Sequence, residues 1–165
     1  MKIESSGDKF VITDFNDIEA YKLACKIEKD GIYFYKKLKE NSDDKGIKEM
    51  FDFLIAEENK HLKFFEDCLY ELRESEEDRD EDNDLLEGFN YGIFDFAKDI
   101  KELEKIVNTP KKALKLGELA EQRSIKFYRA CQDQVSGRRV KDELENIIGE
   151  EIKHQNHFRK ALTGS

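Results

Sequence analysis

The sequence predicts an all-α protein: a bundle of four long helices folded as two antiparallel hairpins. Apolar residues recur at helical spacing in four long segments. Charged residues make up 41% of the 165, against nine glycines and one proline, a composition of long helices more than of sheets. The second half of the chain also repeats the first at an offset of 93 residues, with no insertion. At this length the whole chain, 1–165, is one domain with a sizeable core.

The first helix, about 16–40, carries Ile18, Tyr21, Cys25, Glu28, Ile32 and Tyr35 on one stripe, and Asn16 with Glu19 forms a capping box at its start. The turn "NSDDKG" leads into the second, about 43–73, with the stripe Ile47, Phe51, Leu54, Glu58, His61, Phe65, Leu69. A crossover, 74–109, opens on the acidic run "ESEEDRDEDND", read as a solvated linker, and continues into a shorter helix within "NYGIFDFAKDIKELEKIV". Thr109 and Pro110 begin the third long helix, 110–134, with Leu114, Glu118, Glu121, Ile125 and Tyr128. After "QVSGRR" the fourth, about 137–162, carries Val140, Leu144, Ile147, Glu151, His154, Phe158 and Leu162. Short turns make each pair a hairpin, and the long crossover lets the second and third helices run parallel.

Glutamates and histidines occupy positions on these stripes where Leu or Ile would serve a core. The repeat keeps them in register: Glu28 falls on Glu121, Glu58 on Glu151, His61 on His154, and Phe34-Tyr35 on Phe127-Tyr128. Glu28 and Glu58 each lie about 14 residues from the first turn, roughly 21 Å at ~1.5 Å per residue, so they stand level across the hairpin. Glu121 and Glu151 do the same about the second. In E-x-x-H the two side chains share a helix face. Packing the hairpins about a pseudo-twofold therefore gathers four carboxylates and two imidazoles at the centre. Burying one bare carboxylate costs several kcal/mol, and four also repel one another. Two divalent cations would cancel that charge. Carboxylate and imidazole without thiolate favour iron or manganese, with zinc also compatible. A lone E-x-x-H is usually a surface feature; six residues in a repeated register are not.

These residues resemble the ferritin-like di-iron carboxylate superfamily, and within it the rubrerythrin di-iron domain, over about 16–162. The motifs are Glu28 to Tyr35, Glu121 to Tyr128, "EENKH" and "EEIKH". The resemblance implies a ferritin-like bundle holding two iron ions on Glu28, Glu58, His61, Glu121, Glu151 and His154. It also implies a seventh ligand, Glu118, that would let one iron shift between carboxylate and histidine with oxidation state. The implied activity is reduction of hydrogen peroxide, with dioxygen as the other small-molecule oxidant. Tyr35 and Tyr128 are candidate proton or hydrogen-bond donors beside the metals, although aromatic-stripe tyrosines more often serve the core. The chain lacks the paired C-x-x-C motifs of the rubredoxin module that rubrerythrins commonly carry, so electrons would come from an external, rubredoxin-like donor.

Other features bound the function further. A net charge of −9 argues against a nucleic-acid partner. No apolar run approaches a membrane span, and "MKIESSGDKF" lacks a signal-peptide core. Cys25, Cys68 and Cys131 are scattered singly, which suits buried apolar thiols in a reducing cytoplasm. The crossover is compatible with a homo-oligomer such as a dimer. His157 is expected at the surface. Two other classes remain open at this level: a ferroxidase or iron-storage protein, and a helical interaction module with a vestigial metal site.

Overall fold

The computed structural model describes residues 2–6, 9–13, 15–75 and 109–164. Four long helices dominate it: α1 (Asp17–Glu40), α2 (Lys45–Ser75), α3 (Pro110–Gln134) and α4 (Arg138–Thr163). They end within two residues of the expected bounds. α1 packs on α2, α3 packs on α4, and α1 lies beside α3. The short helix expected in the crossover lies outside the described residues.

The helix starts follow local chemistry. Asn16 accepts from the Glu19 backbone N–H at 2.8 Å, while the Glu19 carboxylate accepts from the Asn16 N–H at 3.0 Å. Thr109 Oγ1 accepts from the Lys112 N–H at 3.3 Å, and Pro110 needs no partner for an N–H it lacks. Gly137 opens α4 without a side-chain cap of its own, and its N–H is bound instead by Asp17 Oδ1 at 3.3 Å. This contact ties the second hairpin to the start of α1.

One element was not expected. Strands β1 (Lys2–Ser6) and β2 (Lys9–Thr13) pair antiparallel, with Ser6 opposite Lys9 and Lys2 opposite Thr13. β2 lies against α3, and Ile12 is buried in the core. A two-stranded hairpin is marginal alone; docking on the bundle supplies what it lacks.

The core is divided. One apolar cluster contains Tyr21, Leu23 and Ile27 of α1, Phe65 of α2, Phe127 and Tyr128 of α3, and Leu144 and Ile147 of α4. The other contains Phe34, Tyr35 and Leu38 of α1, Phe51 and Leu54 of α2, Leu114 of α3 and Phe158 of α4. Between them every helix presents its Glu or Glu/His positions. Close helix approach at one end depends on Gly117, where a Cβ would sit 2.2 Å from the Phe158 ring.

Candidate metal centre

The six residues in repeated register converge. Glu28, Glu58, His61, Glu121, Glu151 and His154 are all buried, none more than 6% exposed. Their donor atoms form two overlapping groups, within each of which the atoms lie inside 4.8 Å of one another. Glu28, Glu58, His61 and Glu151 make the first; Glu58, Glu121, Glu151 and His154 make the second. Glu58 and Glu151 belong to both. Nδ1 of His61 stands 3.3 Å from Glu151, 3.5 Å from Glu58 and 3.8 Å from Glu28. Nδ1 of His154 stands 3.1 Å from Glu151, 3.2 Å from Glu58 and 3.8 Å from Glu121. The two imidazoles stack, their centroids 5.5 Å apart.

The tyrosines are woven across the pseudo-twofold. Tyr35 of α1 donates to Glu121 of α3, and Tyr128 of α3 donates to Glu28 of α1. Each phenol is buried in an apolar cluster and spends its hydroxyl on the other hairpin's carboxylate. Burial first, then the carboxylate beside each, pushes both phenols well above the usual tyrosine range. They therefore remain O–H donors at neutral pH.

Without a cation the six groups must neutralise one another with protons. Burial and then the repulsion of Glu58 push Glu28 well above the ordinary carboxyl range. Burial, Glu151 and Glu58 do the same to Glu121. Burial also acts to raise Glu58, but hydrogen bonding from Glu28, His154 and His61 outweighs it and holds the group low. For Glu151, burial and Glu58 are outweighed by His154, His61 and Glu121. Burial disfavours both imidazoliums, yet the carboxylates facing them win. His154 is raised to about 9, chiefly by Glu151 and Glu58, and His61 is raised further by Glu151, Glu28 and Glu58. Two imidazoliums, two carboxylates and two protonated carboxyls sum to zero.

That compromise is incomplete. His61 Nδ1 is buried and has no hydrogen bond of acceptable geometry, despite three carboxylate oxygens within 4 Å. A buried ring nitrogen that faces three carboxylate oxygens and makes no hydrogen bond with any of them suits a metal ion, which would take the place of its proton. The residues present fit such a group, with oxygen and imidazole donors and no thiolate. On the carboxylate side lies a small cavity with room for about one water-sized molecule. Gly31 and Ser124, equivalent positions in the repeat, line it, and neither histidine does.

The structure does not bring Glu118 into this cluster. It lies on the flank of α3, partly exposed, and accepts from Arg159 Nε of α4 at 2.7 Å. A long side chain one turn before Glu121 finds a cation outside the bundle more readily than space inside it. His157 is exposed, edge-on to the Phe53 ring at 5.5 Å. The three cysteines are buried and free. Gly31 and Ser124 escaped sequence reading because small residues in a helix stripe announce nothing alone; their match across the 93-residue offset was the available signal.

A four-helix bundle that buries four glutamates and two histidines in two overlapping groups belongs to the ferritin-like carboxylate proteins. More narrowly, the sequence model of the Rubrerythrin family matches residues 19–162, and the chain belongs to that di-iron family. No curated protein and no solved structure matches the chain. No helix among the described residues is long and apolar enough to cross a membrane.

Proposed function

We propose that the chain holds two iron ions and reduces hydrogen peroxide to water with electrons from an external donor. The observation that carries the reading is the sharing of Glu58 and Glu151 between the two donor groups. Each position then has one private carboxylate and one private imidazole: Glu28 with His61, and Glu121 with His154. Two ferrous ions would supply one electron each, matching the two that peroxide and two protons consume on becoming two waters.

The chain's own contribution is positional and protic. Glu58 and Glu151 span the two positions from opposite hairpins. Tyr128 and Tyr35 hold Glu28 and Glu121 by hydrogen bonds, which limits their swing as the charge beside them changes. Gly31 and Ser124, both small residues, line the small cavity on the carboxylate side, where a small oxidant would approach. The surrounding apolar clusters exclude bulk water, which strengthens each electrostatic contact inside.

Metal analysis after iron supplementation, joined to single-turnover oxidation of the ferrous protein by peroxide or by dioxygen, tests the reading. Stoichiometric iron and faster reaction with peroxide are expected, with iron retention lost in Glu58→Ala and Glu151→Ala. Protein that takes up no iron, or ferrous protein that reacts faster with dioxygen, would overturn it.

A further inference from the structure

The pseudo-twofold is broken at one place where side chains lead away from the cluster. Two aromatic arms extend from the tyrosines that touch the private glutamates. In one, Tyr35 packs on Phe158 with centroids 6.0 Å apart, and the aliphatic Leu114 shares their apolar cluster. In the other, Tyr128 stacks on Phe65 at the same 6.0 Å, and Phe65 packs on Tyr21 at 6.4 Å. Phe65 matches Phe158 and Tyr21 matches Leu114 in the repeat. Only one arm ends in a phenol.

That phenol is equipped. Tyr21 is buried, 2% exposed, and donates its hydroxyl to the Glu143 carboxylate of α4. The repeat position of Glu143 in the first hairpin is Met50, so donor and acceptor are both absent from the other arm. Glu143 is 13% exposed and is held by Arg139 Nε at 2.8 Å; Arg139 also binds Glu71 at 2.7 Å. The arm therefore runs from Glu28, through Tyr128 and Phe65, to a buried phenol whose proton has an acceptor in contact with solvent. Packing requires neither the hydroxyl nor the carboxylate, since leucine and methionine fill the equivalent places.

We propose that Tyr21 and Glu143 form a one-electron outlet that drains surplus oxidising equivalents from the metal centre. The inference rests on the cluster being a redox-metal site. Peroxide takes two electrons, which two ferrous ions provide. Dioxygen takes four on its way to water, so it leaves two oxidising equivalents unmet. In the outlet step the Tyr21 O–H bond breaks and its proton forms a new O–H bond on Glu143. One electron passes along Phe65 and Tyr128 to the oxidised centre, which is reduced by one, and Tyr21 is left as a neutral phenoxyl. An external one-electron reductant, with the proton returned from Glu143, restores the phenol, and a second passage through the same step takes up the remaining equivalent. Damage is thereby drawn away from His61 and His154 to the end of the bundle.

The test is freeze-quench electron paramagnetic resonance of ferrous-loaded protein mixed with dioxygen, using ring-deuterated tyrosine to assign the radical and iron analysis on the same samples. Wild type is expected to give a tyrosyl signal. Tyr21→Phe, which keeps the ring and its packing, should lose it while iron oxidation persists. Glu143→Gln, which keeps the shape but cannot take the proton, should lose most of it. A merely structural Tyr21 would leave the signal unmoved, and an unchanged signal in Tyr21→Phe overturns the proposal. So does oxidised iron with no tyrosyl signal in wild type, a result that leaves the metal site standing. Absence of bound iron overturns both, and the iron analysis tells the two failures apart.

Discussion

Removing metal and raising the pH from 6.5 to 9 is expected to destabilise the protein by an amount the cluster sets. In chelator-stripped protein His154 carries its proton up to about 9, against an ordinary value of 6.5. A base whose folded value is raised contributes in full below the unfolded value, and that contribution is lost as pH rises through the folded one. For His154 this amounts to on the order of 3 kcal/mol between those limits. His61 is shifted the same way, and so are Glu28 and Glu121, which stay protonated where the unfolded chain would ionise them. All four therefore lower stability as pH rises. Glu58 and Glu151, held low, act in the opposite window, and their contribution is lost on acidification below about 4.5.

In a domain of this size 3 kcal/mol corresponds to a fall in Tm of roughly 6–12 °C. Circular-dichroism melts of the stripped protein at the two pH values measure it. His154→Gln serves as the control, because the slope should become shallower when this raised base is gone; the residual slope reports His61, Glu28 and Glu121. Metal must displace those same protons, so its stabilising effect should grow over this interval. A stripped protein whose Tm is flat or rises from pH 6.5 to 9 would refute the charge assignment.

Glu118→Ala should leave metal content unchanged in inductively coupled plasma mass spectrometry and cost less than about 1 kcal/mol, because it removes only a partly exposed pair with Arg159; loss of metal would restore Glu118 as a ligand. Gly117→Ala places a methyl 2.2 Å from the fully buried Phe158 ring and should cost about 1–3 kcal/mol in denaturant titration. An unaltered midpoint would show that Phe158 has room to move.

Most of the bundle was legible in the sequence because its signals are local. Asn16 with Glu19, and Thr109 with Pro110, mark helix starts by chemistry confined to one turn. The cluster was legible for a different reason. Glu28 and Glu58 are equidistant from a turn, as are Glu121 and Glu151, so the chain's own geometry makes them meet. Spacing alone could not place the Glu118 side chain, because it gives the helix face but neither the reach of a flexible side chain nor the position of Arg159 on another helix, with which Glu118 pairs here. It was silent on the N-terminal hairpin, although "SGDK" places Gly-Asp, a hairpin dipeptide, between two short runs. Strands that depend on contact with α3 carry little signal of their own. The bond from Tyr21 to Glu143 spans 122 residues and depends on how α1 meets α4, which periodicity cannot fix.

The duplicated arrangement has a consequence for assembly. Neither hairpin contains a complete donor group: the first lacks Glu151, and the second lacks Glu58. The tyrosine bonds are crossed in the same way, each phenol orienting the other hairpin's private glutamate. A slip of one helical turn, about 5.4 Å, between the hairpins would therefore break both groups and both tyrosine bonds together. It would also leave charged groups facing apolar clusters above and below. The polar layer that looks like a liability in either helix pair alone thus acts as the register mark for docking the two. The chemistry proposed for the centre and the uniqueness of the fold rest on the same six side chains.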